Sequence, residues 1–214
     1  MSLRDLIDLD AFEATRRNAA RRLLDERNEH GWWTGELSSS ALSTATAITA
    51  LAIVDHDAHA RRIAAGLDWL AATQNDDGGW GDTTKSFSNI STTTLVWAAF
   101  NACADENDDR FADAMSRAET RLKEWTGSLD PAALAEAIAA RYGADRTFSV
   151  PILTMCTLAG RLGDPQERET WERIKPLPFE LAAFPRALFA KLNLRVVSYA
   201  LPALIAIGQV RHCF

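Results

Sequence analysis

Two kinds of hydrophobic pattern alternate along this chain. The first is amphipathic. Phe111, Met115, Ala118, Leu122 and Trp125 recur at steps of three and four, the spacing of one helical face. Ile63, Leu67 and Leu70 do the same with Arg61, Arg62 and Asp68 opposite, and Phe12, Ala19, Leu23 and Leu24 share a face that Arg17, Arg21 and Asp25 avoid. The second kind carries no charge at all: residues 39–51, 88–100, 147–160 and 196–210. A helix that is apolar or small all round is buried on every side. The alternation therefore predicts an all-α chain in two layers, exposed outer helices and enclosed inner ones, stacked as helical hairpins into a solenoid or toroid. Few runs alternate with period two, so strands are not expected. The hairpin units fall near 11–57, 58–109, 111–163 and 165–210, within one domain spanning 1–214. A closed ring needs more hairpins than these, so the toroid is expected to be incomplete.

A motif recurs with the units. Gln74, Gly78 and Trp80 form Q-x-x-x-G-x-W, and Arg27, Gly31 and Trp33 form the same pattern with Arg in the first place. A motif repeated at a fixed offset marks a repeat architecture. Gln74 ends an outer helix and offers hydrogen bonds to neighbouring helix termini, whose backbone groups lack partners in their own helix. Trp80 can cover that polar pair with a large apolar face, and Gly78 permits the turn between them. Arg27 can donate but not accept, so its copy of the staple is limited to carbonyls and carboxylates. After Trp125 the motif is lost, and an extra helix over 131–142 intervenes.

Punctuation agrees with helices throughout. Gly31 and Gly78 follow outer helices where a left-handed C-terminal cap places glycine. Asp130-Pro131 and Asp164-Pro165 each put a capping residue before a proline at the first helical position, and Glu167 completes a capping box with Asp164. Residues 55–59 are expected to form a polar loop, with Asp57 capping an outer helix that starts near Ala60.

Composition narrows the function classes. The net charge of −6 comes with no basic block or stripe, so nucleic acid is not an expected partner. Cys103, Cys156 and Cys213 are isolated, which fits a reducing compartment rather than a disulfide framework. No secretory leader pattern opens the chain. The apolar run 196–210 is too short, and too broken by Pro202, to span a bilayer. A cytoplasmic protein is expected.

Q-x-x-x-G-x-W preceded by Trp69-Leu70 resembles the repeat of squalene-hopene and oxidosqualene cyclases, and the chain resembles the N-terminal portion of that triterpene cyclase family. Residues 31–37 resemble the family's first glycine-tryptophan repeat, 82–100 the inner helix after the second, and 176–208 an apolar segment leading into another inner helix. The resemblance implies α/α-toroid domains whose Gln and Trp residues tie outer helices together. It also implies acid-initiated cyclisation of a C30 isoprenoid, with no cofactor, in an apolar cavity where aromatic faces steady the cations and water is excluded. It implies monotopic contact with the inner membrane face. The remainder of the cyclase, or a partner domain, would complete the enzyme. The family's D-x-D-D acid motif is missing here. Residues 105–109 are the nearest acidic cluster, with the wrong spacing and a solvated setting. No catalytic residue is therefore assigned.

Trp97, Phe100, Phe148 and Tyr199 lie on uncharged helices and are the candidates for contact with the isoprenoid, with core packing the alternative for each. Asp55, His56, Asp57 and His59 invite a metal, but no third ligand is evident and a polar loop explains them; a zinc prenyltransferase-like domain, which shares the toroid, is a second alternative, though the Asp, Cys and His ligands of those enzymes have no counterpart here. His212-Cys213 lies where the chain end frays. Asp76, Asp77 and Asp82 suit a glycine-rich turn as well as a cation. No Ser-His-Asp set, G-x-S-x-G or phosphate-cradling glycine loop is present. The connector 177–192, with Phe179, Phe184 and Phe189, reads as apolar surface covered by a partner domain or a membrane. A non-catalytic lipid- or protein-binding scaffold remains the rival to the enzyme reading.

Overall fold

The computed structural model describes residues 8–35, 37–104, 109–143, 145–176, 183–191 and 201–213. Their regular structure is helical, apart from one isolated bridge between Arg27 and Trp33. The chain divides into two compact units, Met1–Ser38 and Ser39–Phe214.

The first unit is helix α1 (Leu9–Asp25) and the turn that follows. The Asp8 carboxylate accepts from the backbone N–H groups of Asp10 and Ala11, which satisfies two of the free donors at a helix start. Arg16 pairs with Glu13 one turn away. The expected apolar stripe is present but not enclosed: Phe12, Leu23 and Leu24 are all exposed, and α1 buries no residue.

The second unit holds the core. Helix α2 (Ala41–Ala72) is two limbs joined at Asp55, whose extended backbone interrupts the helix. Its first limb is the uncharged segment and its second the amphipathic one. Residues 55–59 are thus not a loop. The break occupies one residue, and Asp55 rather than Asp57 caps the second limb, accepting from the Ala58 N–H at 2.9 Å. One carboxylate in the capping position is enough for a direct reversal. Helix α3 (Ile90–Cys103) is the centre of the unit. Eleven of its residues are buried, as an uncharged helix requires, because α2, α4 and α6 all pack on it. The Asn89 side chain caps it.

A 3-10 turn (Asp109–Phe111) leads into α4 (Ala112–Thr126), whose stripe faces inward as expected: Phe111, Ala118 and Leu122 are buried. Gly127, left-handed at φ 75°, closes α4, and α5 (Pro131–Tyr142) starts at its proline. Helix α6 (Arg146–Leu158) runs parallel to α3. Tyr142, bonded to Ser91 near the start of α3, stacks on Phe148 near the start of α6, and the Asn101 amide near the end of α3 reaches the Ala159 carbonyl past the end of α6. The capping box expected at Asp164 does not form. Asp164 turns onto the Gln166 N–H, and α7 (Arg168–Glu172) begins four residues later with Glu167 before it. Helices α8 (Arg186–Lys191) and α9 (Leu201–Cys213) follow, the latter against α6.

The expectation that inner helices are enclosed on every side holds for α3 and fails for the first limb of α2. That limb buries Ala41, Ala45, Ile48 and Thr49, with Ile48 against Gly66 of the second limb, while Leu42, Thr46, Ala47 and Ala50 are exposed.

Candidate functional site

The two motif copies fold into one and the same clasp. In the second, the Asn75 N–H donates to the Gly79 carbonyl and the Gly78 N–H to the Asn75 carbonyl, both at 2.9 Å. In the first, the Asn28 N–H donates to Trp32 and the Gly31 N–H to Asn28 in the same way. Gly78 and Gly31 have φ of 82° and 86°. Their left-handed backbone is as expected, but they lie inside this turn. The helix caps are Thr73 and Glu26.

The side chains repeat as well. The Gln74 amide donates to the Gly78 carbonyl at 2.8 Å, and the Arg27 guanidinium donates to the Gly31 carbonyl at 2.7 Å, so Arg27 bonds a carbonyl as its chemistry requires. The Trp80 indole N–H donates to the Leu70 carbonyl at 2.8 Å, and the Trp33 indole to the Leu23 carbonyl. Each tryptophan thereby bonds a carbonyl in the last turn of the preceding helix, where the regular i+4 donor is lost; Leu70 also accepts weakly from Thr73. The surroundings differ in depth. Trp80 is 1% exposed and packs near Phe100, whereas Trp33 is 47% exposed with Arg27 over its ring.

Helix α4 grips the second clasp from one face. Ala114, Arg117 and Arg121 recur at steps of three and four, so they point the same way. The Ala114 carbonyl accepts from Gln74 at 2.8 Å, Arg117 donates to the Asn75 carbonyl at 2.9 Å, and Arg121 pairs with Asp77 at 3.2 Å. Gly78 touches this helix so closely that an added Cβ would lie 2.7 Å from the Arg117 carbonyl oxygen.

The turn's acids are held by the protein itself. Asp77 accepts from the Ser88 hydroxyl and the Gly79 N–H, and Asp82 from Asn89 and Thr92 at the start of α3. Burial pushes the Asp77 carboxyl up. The Ser88 and Gly79 hydrogen bonds and the Arg121 charge outweigh it and hold the group below the ordinary carboxylate value. Asp77 is therefore ionised at neutral pH and is no proton donor. Its contribution to stability is complete above the unfolded carboxyl's titration, near pH 4, and is lost as pH falls through the lower folded value. Urea melts of Asp77→Asn and the native chain should accordingly differ at pH 7 and converge as the pH is taken toward 2.

The candidate lipid contacts are dispersed. Phe100 is buried between Trp80 and Phe111. Trp97 is 4% exposed. Its indole donates to Glu119, and the Arg161 guanidinium lies 3.7 Å from the ring centroid and bonds the Trp97 carbonyl. Both side chains are core, and the cation-binding face of Trp97 is already taken. Among the described candidates Phe148 alone is exposed, stacked on Tyr142. Tyr199 and residues 105–108 lie outside the described residues, as do the side chains of His212 and Cys213. Among the described residues no group of three His, Cys, Asp or Glu side chains is placed to hold a metal. None of the helices described is long and apolar enough to cross a membrane. A cavity of about 150 Å³ bordered by His56, Ile63, Leu67, Cys103 and Arg110 is well under the roughly 300–1,000 Å³ of ordinary ligand pockets.

Four contributing residues were not evident from sequence. Asn28 and Asn75 occupy the same place in both clasps, a signal that aligning the repeats reveals. Arg117 and Arg161 carry no such signal, since a lone arginine on a helix or turn reads as solvated.

Burial sets the thiols apart from chemistry. It pushes Cys103 up to about 11 and Cys156 to about 12, with Thr49 and Arg161 only partly opposing it. Both stay protonated and unreactive. Iodoacetamide at pH 8 should leave the two peptides unlabelled in the folded chain and label both in urea, as read by peptide mass mapping.

The squalene-hopene cyclase N-terminal domain family matches residues 17–131, more than half of the chain and both clasps. This chain belongs to that family. No curated protein and no solved structure matches it. The helical architecture is that of the family, whose N-terminal domain is an α/α toroid. The squalene-hopene cyclase match takes in the clasp at Gln74–Trp80 and helix α3, and beyond it α6 runs beside α3.

Proposed function

We propose that this chain supplies one wall of the apolar cavity in which a squalene-hopene-cyclase-like enzyme cyclises a C30 isoprenoid. The observation that carries the reading is the family match over residues 17–131, together with inner helices free of charge. Such a wall carries no charged side chain and, closed by the rest of the cavity, would keep water from a carbocation. The initiating acid would come from another polypeptide segment carrying D-x-D-D, since the full sequence here has none and Asp77 is committed to Arg121 and Ser88.

The test is retention and conversion of squalene. The purified chain should retain squalene through gel filtration and return it unchanged by mass spectrometry. Adding the acid-bearing domain of a family member should yield cyclised product. A chain that retains no squalene sinks the proposal. A non-catalytic lipid-binding scaffold is the second reading, favoured by the same absence of D-x-D-D. It holds if squalene is retained and the acid-bearing domain never converts it.

A further inference from the structure

We propose that residues 160–174 form a strap that opens from α3 and α6 as a unit, and that Arg161 is the latch that keeps it shut. The strap is tied within itself. The Trp171 indole donates to the Pro165 carbonyl at 2.9 Å and Arg173 to the Leu162 carbonyl at 3.3 Å. Gly163 lies so close to Thr170 that an added Cβ would sit 2.6 Å from its hydroxyl oxygen. Both ends are anchored, by the Asn101 amide on the Ala159 carbonyl at 2.7 Å and by a longer bond from Arg146 to the Pro176 carbonyl at 3.4 Å. Gly160 follows the first anchor with φ of 72°, and a Cβ there would meet only the Asn101 amide, at 3.6 Å. The chain has room to swing at that point.

The latch reaches from the strap to two helices. The Arg161 guanidinium lies 3.7 Å from the Trp97 ring centroid and donates to the Trp97 carbonyl of α3 at 3.2 Å. Glu119 of α4 accepts from the Trp97 indole at 3.1 Å, and its charge attracts the guanidinium. Burial pulls Arg161 down to about 10 and Glu119 opposes the pull, so at neutral pH the group is a cation drawn out of water. The Gln-Gly-Trp motif is lost after Trp125, and in the unit that follows Arg161 joins neighbouring elements through a carbonyl as Gln74 does in the second clasp. The closed state is also strained in its hydrogen bonding. The Arg161 Nε–H and the Thr157 hydroxyl at the root of the strap are buried and meet no partner among the described residues. Each costs free energy that opening to water recovers. The ring, carbonyl and carboxylate around Arg161 oppose that gain, and local opening is the motion they control.

Cys156 reports the opening and Cys103 serves as the control. Both thiols are buried, and the Arg161 charge acts on Cys156. The full-length chain is treated with iodoacetamide at pH 8 and read by peptide mass mapping. Arg161→Gln should label Cys156 at least tenfold faster than the native chain does, with Cys103 unchanged. Glu119→Gln keeps an acceptor for the indole but removes the charge, and should speed Cys156 at least threefold, again alone. Arg168→Gln removes an exposed charge from the strap and should change neither rate. If Arg161→Gln fails to fold and labels both thiols, Glu119→Gln decides. No acceleration at Cys156 in either variant, or equal acceleration of both thiols in Glu119→Gln, overturns the strap. An Arg168→Gln effect as large as that of Arg161→Gln overturns the latch.

Discussion

Trp80→Ala is expected to destabilise the chain by about 3–5 kcal/mol, the cost of truncating a fully buried large aromatic. The side chain is 1% exposed and sits beside Phe100, so little can collapse into the space it leaves. The indole N–H also leaves, and with it the shortest hydrogen bond to the Leu70 carbonyl in the last turn of α2. For a chain of this size each kcal/mol lowers the melting temperature by about 2–4 °C, so the shift should be on the order of 10 °C. Trp33→Ala removes the same indole bond but only a half-exposed ring, and should cost about a third as much or less. Thermal melts of the two variants decide the matter. A change of no more than about one degree for Trp80→Ala would show that the tryptophan does not hold the outer layer.

Much of this is legible in the sequence. The clasp was legible because its parts are unusual residue types at a fixed spacing, and each has one physical job: Gln74 or Arg27 to donate, Gly78 or Gly31 to turn left-handed, Trp80 or Trp33 to reach a helix end. The α4 stripe was legible because charged residues mark its outer side. What the sequence could not give is direction on a helix that has no charge. Residues 41–54 and 90–103 look alike as strings, yet α3 is enclosed and the first limb of α2 has a free face. Nothing in a Ser/Thr/Ala-rich string says which neighbours exist. The same ambiguity leaves Trp97 and Phe100 open between lining and core in the sequence, since their burial depends on α4, Phe111 and the segment after α6. Asp55 and Asp57 were confused because both are competent caps two residues apart, and only the backbone conformation at Asp55 separates them.

Gly78→Ala carries the second large effect, and its contrast with Gly31→Ala isolates the role of α4. Both glycines have φ beyond 80°, so alanine costs about 1–2 kcal/mol at either from backbone sterics alone. The neighbours then differ. At Gly31 the new methyl meets the end of the Arg27 guanidinium at 3.0 Å, which can swing aside. At Gly78 it meets the Arg117 carbonyl oxygen at 2.7 Å, part of the α4 backbone. The turn must back away, which stretches the Gln74 bond to Ala114 and the Arg117 bond to Asn75. Each such bond contributes about 0.5–1.5 kcal/mol, so the total for Gly78→Ala should be on the order of 3 kcal/mol. Urea denaturation followed by circular dichroism should therefore rank Gly78→Ala well below Gly31→Ala. Combining Gly78→Ala with Gln74→Ala should then cost less than the sum of the two, since they break the same contact with α4. Equal losses from the two glycines, or full additivity with Gln74→Ala, would mean that the second clasp turns the chain without fastening it to the outer helix.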